Sequence, residues 1–226
     1  MAGILFLLIT VFLILQMPPV QNAIVGRILR NFSNVSGFTS RIDNFRLLWF
    51  DRLELGGLSV TDPEGNEMIG AKSILINFNL GELLNQNDIN VDGIILDSAS
   101  VYLTELVESD TTRNLNINIF ISELNKLSKG DGQGKNPQVN IGEAVLANST
   151  FTYANPSRDS IANGFDYNHF TLNVEEGQVQ NFLAIGDTVQ FDVRTLLLQD
   201  QKTKFNIHQL STGFRISQNS MEFNGL

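Results

Sequence analysis

The chain has 226 residues, of which 42% are hydrophobic, 17% are charged, 25 are Asn and none is Cys. A net charge of -9 and a pI near 4.6 exclude the basic surface of a nucleic-acid-binding protein. Without Cys, and with only two His, the sequence supplies neither a disulfide framework nor a thiolate zinc site. The low charge and the many amide side chains favour a β-rich protein.

An apolar segment begins the chain. Between Ala2 and Leu15 only Thr10 is polar, and the first charged side chain is Arg27. Continued to Met17, the segment gives about 24 Å of helix, slightly less than the roughly 30 Å hydrocarbon core of a bilayer. We therefore expect residues 1–18 to form a transmembrane anchor. Its apolar side chains are Ile4, Leu5, Phe6, Leu7, Leu8, Phe12 and Leu13.

A cleaved signal peptide and a buried core helix are the other interpretations of this segment. A signal peptide requires a basic start and a cleavage site flanked by small residues. No Lys or Arg precedes the apolar run, and Gln21 lies two positions before Ala23, where cleavage would fall. The sequence therefore favours an uncleaved anchor.

Residues 19–36 have the pattern of an amphipathic helix. Apolar side chains recur every fourth residue, at Val20, Ile24, Ile28 and Phe32. Such a helix either lies along a membrane interface, with its two Arg residues near the headgroups, or packs its apolar face on the protein that follows. The two arrangements are not exclusive.

From Phe38 onwards the dominant hydrophobic period is two, which predicts strands with one apolar face. Leu53 and Leu55 are out of phase with Leu58 and Val60, so a bulge is expected at residues 56–57, which are both Gly. Most links between strands are short, which favours sequential antiparallel pairing. Trp49 is expected to be a core aromatic, with an interfacial anchor as the alternative.

One helix and one linker divide this β-rich region. The apolar stripe between Asn116 and Leu127 predicts a short helix, and the polar stretch 129–136 predicts a linker. We therefore expect a first β segment at 37–128 and a second at 137–226. Residues 95–103 also match residues 145–153 at an offset of fifty, which suggests a repeated unit of two strands.

No motif predicts catalysis, a metal or a cofactor. Residues 88–93 resemble the start of a calcium loop, but Ala99 stands where the bidentate acid is required. The Gly-rich stretch 130–135 lacks the strand-to-helix context of a phosphate loop. Neither His169 nor His208 lies near a nucleophile motif. We expect a protein that is not an enzyme, without catalytic residues.

The order of these parts resembles a known family. The anchor runs through residues 15–21 into the amphipathic helix. The β-rich stretches 50–55, 60–62, 72–78 and 94–103 follow, and then the segment 116–121. This arrangement is similar to the N-terminal, membrane-proximal part of TamB proteins, of the AsmA-like group of inner-membrane-anchored envelope proteins in Gram-negative bacteria. The similarity is clearest over residues 1–125.

The resemblance implies a mostly β fold, with an elongated, curled antiparallel sheet that forms a groove. It implies a single-pass inner-membrane protein with its body in the periplasm. Its implied role is to conduct phospholipid between the two membranes, or to assist outer-membrane protein assembly with an outer-membrane barrel protein. It implies no cofactor beyond bound phospholipid. Family members are longer, so the second β segment is expected to continue in a longer protein.

A structural or assembly scaffold of an envelope complex is the alternative, because an apolar sheet face can pack against another protein as well as hold lipid. In the lipid interpretation, the apolar positions of the strands are the candidates for lining the groove. They are Ile74, Ile76, Phe78, Ile89, Val91, Ile95, Val101, Leu103, Val145, Phe151 and Tyr153.

Overall fold

The computed structural model describes residues 10, 13–14, 16–49, 51–79, 81, 89–109, 112–128, 138–185, 188–216 and 221–225. Most of the predicted anchor and the whole predicted linker lie outside these residues. Within them, no helix combines the length and apolarity needed to cross a bilayer.

The described part of the chain is mostly β, with two principal helices. Helix α1 spans Pro18–Ser36 and helix α2 spans Asn116–Ser128, which confirms both helices predicted from periodicity. The strands are β1 Thr39–Arg41, β2 Asn44–Leu48, β3 Arg52–Thr61, β4 Glu67–Asn77, β5 Ile89–Ser109, β6 Thr112–Leu115, β7 Val139–Ala154, β8 His169–Ile185, β9 Thr188–Asp200, β10 Asn206–Ile207, β11 Thr212–Ile216 and β12 Met221–Asn224.

These strands form one open sheet, in the order β1-β3-β4-β5-β7-β8-β9-β11-β12. Strand β2 also pairs with β3, β6 with β5 and β10 with β9. The prediction of an antiparallel sheet is wrong at the centre, because β5 and β7 are parallel. The chain between them passes through β6 and α2, which is long enough for the crossover that parallel strands require. The sheet is therefore mixed.

The parallel pair explains the fifty-residue match in the sequence. Ile95 pairs with Val145 and Val101 pairs with Phe151, so equivalent positions lie side by side. The amide of Asn140 also donates to the Oδ1 atom of Asn90 at 2.7 Å, across the same offset. The two copies therefore form neighbouring strands in exact register.

A row of left-handed residues crosses the sheet. Gly57, Ser98 and Asn148 have φ angles of 63°, 52° and 50°. The prediction of a bulge at residues 56–57 is wrong, because Gly56 pairs with Ser73 and Leu58 with Ala71 in one register, and the register shift of β3 lies between Val60 and Thr61. Leu55 and Leu58, which flank Gly57 three residues apart, pack in one cluster, whereas strict alternation would place them on opposite faces. The left-handed residues therefore keep apolar side chains on one face where the spacing between these side chains changes from two residues to three.

Helix α1 covers the outer edge of the first strands with polar side chains. The Gln21 side chain accepts from the Leu47 backbone N–H at 2.9 Å and donates to the Leu47 carbonyl at 3.2 Å. Asn22 Oδ1 accepts from the Phe45 N–H at 2.8 Å. These side chains take the place of a neighbouring strand, so the edge is not left open to a further strand.

The main buried core lies where both helices meet one end of the sheet. Phe32 of α1 and Phe38, which follows it, pack with Val60 and Met68. Phe120 of α2 makes edge-on contacts with Phe32 and Phe38, at centroid distances of 5.6 and 5.2 Å. Edge-on aromatic pairs add stabilisation beyond their buried area. The helices therefore cover one end of the sheet, where Leu58 of β3 and Ile69 of β4 pack against this core.

Trp49 contradicts its predicted place in the core. It lies in the turn between β2 and β3, has a φ angle of 50° and is 82% exposed. The hydrophobic pattern around it placed it in a strand, but the strand ends at Leu48, and a turn directs the next side chain into solvent.

Asn116, fully buried at the start of α2, connects three elements. Its Nδ2 group donates to Asp62 Oδ2 at 3.3 Å and to the Tyr102 carbonyl at 3.0 Å. Its Oδ1 atom accepts from the Thr104 N–H at 3.3 Å and the Ile117 N–H at 2.9 Å. The side chain thus joins the β3–β4 turn, β5 and the first turn of α2.

We predict that Asn116→Ala lowers the free energy of unfolding by about 2–4 kcal/mol, because four hydrogen bonds are lost and buried partners are left unsatisfied. The measurement is chemical denaturation of the detergent-solubilised protein. Asn118→Ala is the matched control, since Asn118 is exposed on the same helix. Equal effects of the two substitutions would contradict the role given to Asn116.

We also predict that Gly57→Ala destabilises the fold by about 2 kcal/mol more than Gly65→Ala. Both positions have positive φ, so both variants bear the backbone cost. An added Cβ at Gly57 would lie 2.7 Å from the Asp43 Cγ atom, whereas at Gly65 it meets nothing within 4 Å. The difference in unfolding midpoint between the two variants measures the clash, and no difference would show that Asp43 moves freely.

Candidate functional site

The sheet has one layer for most of its extent. The accessible surface of the chain is 14400 Å², whereas a compact protein of this mass exposes about 10,000 Å². Among the described residues, the buried hydrophobic side chains concentrate in small clusters instead of one large core. Much apolar surface of the sheet is therefore not covered by a second layer.

Cross-strand pairing identifies the residues that share the apolar face. Ala71, Ile74 and Ala99 form a cluster on this face. Alternation along β5 carries the same face from Ala99 to Val101 and Leu103. Val101 pairs with Phe151, and Leu103 with Tyr153. The face continues onto β8, where the partners of Phe151 and Tyr153 are Leu172 and Phe170.

A second row of pairs extends the face to the far side of the sheet. In this row each residue pairs with the next across β4, β5, β7, β8 and β9: Ile76, Ile94, Ala144, Val179 and Val193. Phe191 is two residues from Val193 along β9 and so shares its face. Phe191 stacks on Phe214 of β11 at 5.0 Å. The apolar face thus runs without a break from β3 to β11.

Aromatic rings concentrate at two places on this face. Phe170 contacts Phe151, Tyr153 and Phe165 at centroid distances of 5.9, 5.6 and 5.3 Å. At the C-terminal edge, Phe214 also meets Phe223 of β12 at 4.9 Å, and Phe223 is 47% exposed. The sequence prediction did not include these β8–β12 rings, although alternation within their strands could have identified them.

The predicted groove residues divide between the two faces. Ile74, Ile76, Val101, Leu103, Phe151 and Tyr153 lie on the apolar face. Ile95 and Val145 pair with each other, and Ile95 pairs with Leu75, which lies between Ile74 and Ile76 in β4. They therefore occupy the opposite face, where Ile95 is 44% exposed. The eleven candidates therefore do not share one surface: Ile95, Val145 and, by the same alternation along β5, Val91 lie on the face opposite Val101 and Phe151.

The remaining candidates are placed less centrally. Phe78 follows β4, is half-buried and donates its N–H to the Asp51 carbonyl at 2.9 Å. Val91 is half-buried in β5. The side chain of Ile89, and the predicted anchor side chains other than Leu13, lie outside the described residues. Leu13 itself is exposed.

A polar loop, residues 155–168, connects the end of β7 to the start of β8 beside the aromatic cluster. Its centre is the buried carboxylate of Asp166, which accepts from the Ser160 hydroxyl and from the backbone N–H groups of Ile161, Asn168 and His169. The Ser160 hydrogen bond, aided by the backbone donors, holds the pKa of Asp166 well below its usual range despite burial, which acts the other way. The ionised carboxylate thus fixes the loop that places Phe165 on Phe170.

The described residues also form shallow clefts on the sheet. A shallow cleft of about 550 Å³ is bordered mainly by polar side chains, among them Asn148, Asn173, Glu175 and His208. Within the described part of the chain, no three His, Asp or Glu side chains are grouped so that they could hold a metal ion. The apolar face is therefore the strongest candidate for function.

Comparison with known proteins leaves the family open. No protein-family model matches the chain, and no curated protein matches it. The resemblance to TamB proteins stays a prediction from the sequence.

We predict that Asp166→Asn weakens the dependence of stability on acid pH. The folded pKa of Asp166 is lowered, so its contribution is fully present above the unfolded pKa of about 3.9 and is lost as pH falls below it. At neutral pH the variant should have a lower Tm than the parent. This difference in Tm should become smaller as the pH falls below about 4. Asp159→Asn, at an exposed position of the same loop, is the control and should have the same Tm as the parent at every pH. A Tm difference between Asp166→Asn and the parent that does not change with pH would contradict the prediction.

Proposed function

We propose that this protein is a non-enzymatic β-groove protein of the inner membrane, which conducts phospholipid acyl chains along the apolar face of its sheet. The observation that carries the proposal is the continuous apolar face, which crosses the strands from β3 to β11 and has no second layer over most of its extent. Apolar surface of this size on a soluble body requires a partner.

The shape of this surface suits hydrocarbon chains. At about 4.8 Å per strand, the nine strands of the main path span roughly 40 Å. Helices α1 and α2 cap one end of the sheet and leave the strands between them and the C-terminal edge accessible. An acyl chain can move along such a surface without crossing a polar barrier, because each step exchanges one apolar contact for another.

The location follows the resemblance and the sequence. Residues 1–18 would anchor the protein in the inner membrane, with the sheet in the periplasm and an outer-membrane barrel protein at the far end. Assistance of outer-membrane protein assembly would use the same face, since unfolded barrel strands also present apolar side chains on one side.

A scaffold subunit is the second candidate. It is favoured by the C-terminal edge, where Phe223 of the short strand β12 is exposed beside Phe214. An edge strand of this kind can pair with a strand of another protein, and the apolar face would then be buried in a protein interface.

Photo-crosslinking in intact cells separates the two functions. We predict that a photoreactive residue at Val101 or Phe151 captures phospholipid, because both lie on the apolar face. Ile95 is the matched control: it lies on the same strand as Val101 and is equally apolar, but it occupies the opposite face. Adducts are identified by mass spectrometry of the purified protein.

The outcomes are distinct. Phospholipid adducts at Val101 and Phe151 but not at Ile95 support the conduit. Equal lipid labelling at Ile95 would show that the apolar face has no special role. Protein adducts at Val101 in place of lipid would overturn the conduit in favour of the scaffold.

A further inference from the structure

Helix α1 carries an apolar stripe that does not pack on the protein. Met17, at the helix N-terminus, and Ile24, Ile28 and Val35 are each 48–67% exposed. At about 100° per residue these positions fall within roughly 40° of one another around the helix. The side chains that hold α1 to the sheet, Gln21 and Phe32, are buried. The helix therefore has a sheet-facing side and, directly beside it, a solvent-exposed apolar stripe.

The stripe continues towards the N-terminus. Leu13 and Ile14 are both exposed, and the Met17 N–H donates to the Ile14 carbonyl at 3.1 Å. The exposed stripe is thus an extension of the apolar segment that begins the chain, which is the segment predicted to enter a membrane.

Trp49 lies at the end of the sheet where α1 begins. The two hydrogen bonds between Gln21 and Leu47 hold the start of α1 against β2, and Trp49 follows Leu47 by two residues. The ring is 82% exposed in a turn with a positive φ angle. Trp prefers the interface between water and lipid, because its ring is apolar and its indole N–H can bond with headgroups or water.

Charge distinguishes this region from the rest of the protein. Residues 1–52 contain five of the 15 basic residues but only two of the 24 acidic residues. Arg27, Arg30 and Arg52 are exposed. An anionic surface would therefore attract this region and repel the strongly acidic remainder, which orients the protein with α1 towards that surface.

We propose that the exposed stripe of α1 and Trp49 form a docking surface for an anionic phospholipid bilayer, with α1 lying in the headgroup region. The inference rests on the membrane location proposed above, but it does not depend on lipid conduction. A narrow apolar stripe beside Arg side chains, on a helix that continues a membrane-entering segment, is the arrangement of an interfacial helix. It fixes the end of the sheet near β2 and β3 against the membrane.

Trp49 supplies the test, because it is the only Trp in the chain. The full-length protein is reconstituted in vesicles of phosphatidylethanolamine with or without phosphatidylglycerol, and a fraction of the lipid carries bromine on its acyl chains. We expect the brominated lipid to quench Trp49 fluorescence by at least about twofold in the anionic vesicles, and less in the zwitterionic ones. Bromine in both leaflets makes the result independent of orientation.

Two variants examine the parts of the surface. Ile24→Gln with Ile28→Gln should abolish most of the quenching, because the stripe no longer favours the bilayer. Arg27→Glu with Arg30→Glu should make the quenching of Trp49 equal in vesicles with and without phosphatidylglycerol. Phe205→Gln, which changes an exposed apolar residue on the loop between β9 and β10, is the control and should leave quenching unchanged.

Unquenched Trp49 in both vesicle types, or equal quenching in the parent and the Ile24→Gln, Ile28→Gln variant, would overturn the proposal. Crosslinking at Val101 in the same vesicles keeps the two proposals apart. Quenching without lipid adducts at Val101 would support the docking surface and count against the conduit. Lipid adducts without quenching would support the conduit and overturn the docking surface.

Discussion

The apolar face depends on a row of left-handed backbone conformations across the sheet. In a regular strand, a residue three positions away points to the opposite face. Gly57, Ser98 and Asn148 interrupt that rule at equivalent points of β3, β5 and β7. Without these three residues, the apolar side chains beyond them would point to the other side. Each half of the sheet would then present its apolar residues to a different face.

The row also passes through the parallel pair of β5 and β7. Ser98 and Asn148 are fifty residues apart, and their strands pair at that same offset. The Ser149 hydroxyl accepts from the Ala99 N–H at 3.3 Å beside the row, where the regular pairing is interrupted. A parallel, in-register arrangement lets two copies of one irregular strand fit together, because each deviation meets an equal one.

A sheet without a large core must be held by other means. Backbone pairing along β7 and β8 extends over most of their length, and buried polar side chains secure the ends. Asn116 joins turn, strand and helix at one point, and Asp166 orders the loop between β7 and β8. Such polar centres stabilise only when every buried group is paired, so they specify one arrangement more strictly than apolar packing does. The sheet is thereby held together without a second layer over its apolar face.

Local sequence patterns predicted the helices, the change of phase at Gly57 and the repeat, because each depends on neighbouring residues or on direct similarity; the register shift lies instead between Val60 and Thr61. They did not predict the parallel pair, because the crossover through β6 and α2 depends on contacts distant in sequence. Ile95 was assigned to the groove because it alternates with its neighbours, but alternation does not say which phase faces the apolar side. Trp49 was placed in the core on hydrophobicity alone. The exposed stripe of α1 needed the structure, since only packing shows which apolar side chains remain uncovered.

The two edges of the sheet differ. At the β1 and β2 edge, backbone groups are bonded to side chains of α1, so pairing with another strand there would first displace the helix. At the other edge, β12 is short and has β11 as its described neighbour. A further strand that paired with β12 would extend the apolar face beyond Phe223. Among the described residues, the sheet is therefore blocked by a helix at the β1 and β2 edge and ends in a short strand at the other.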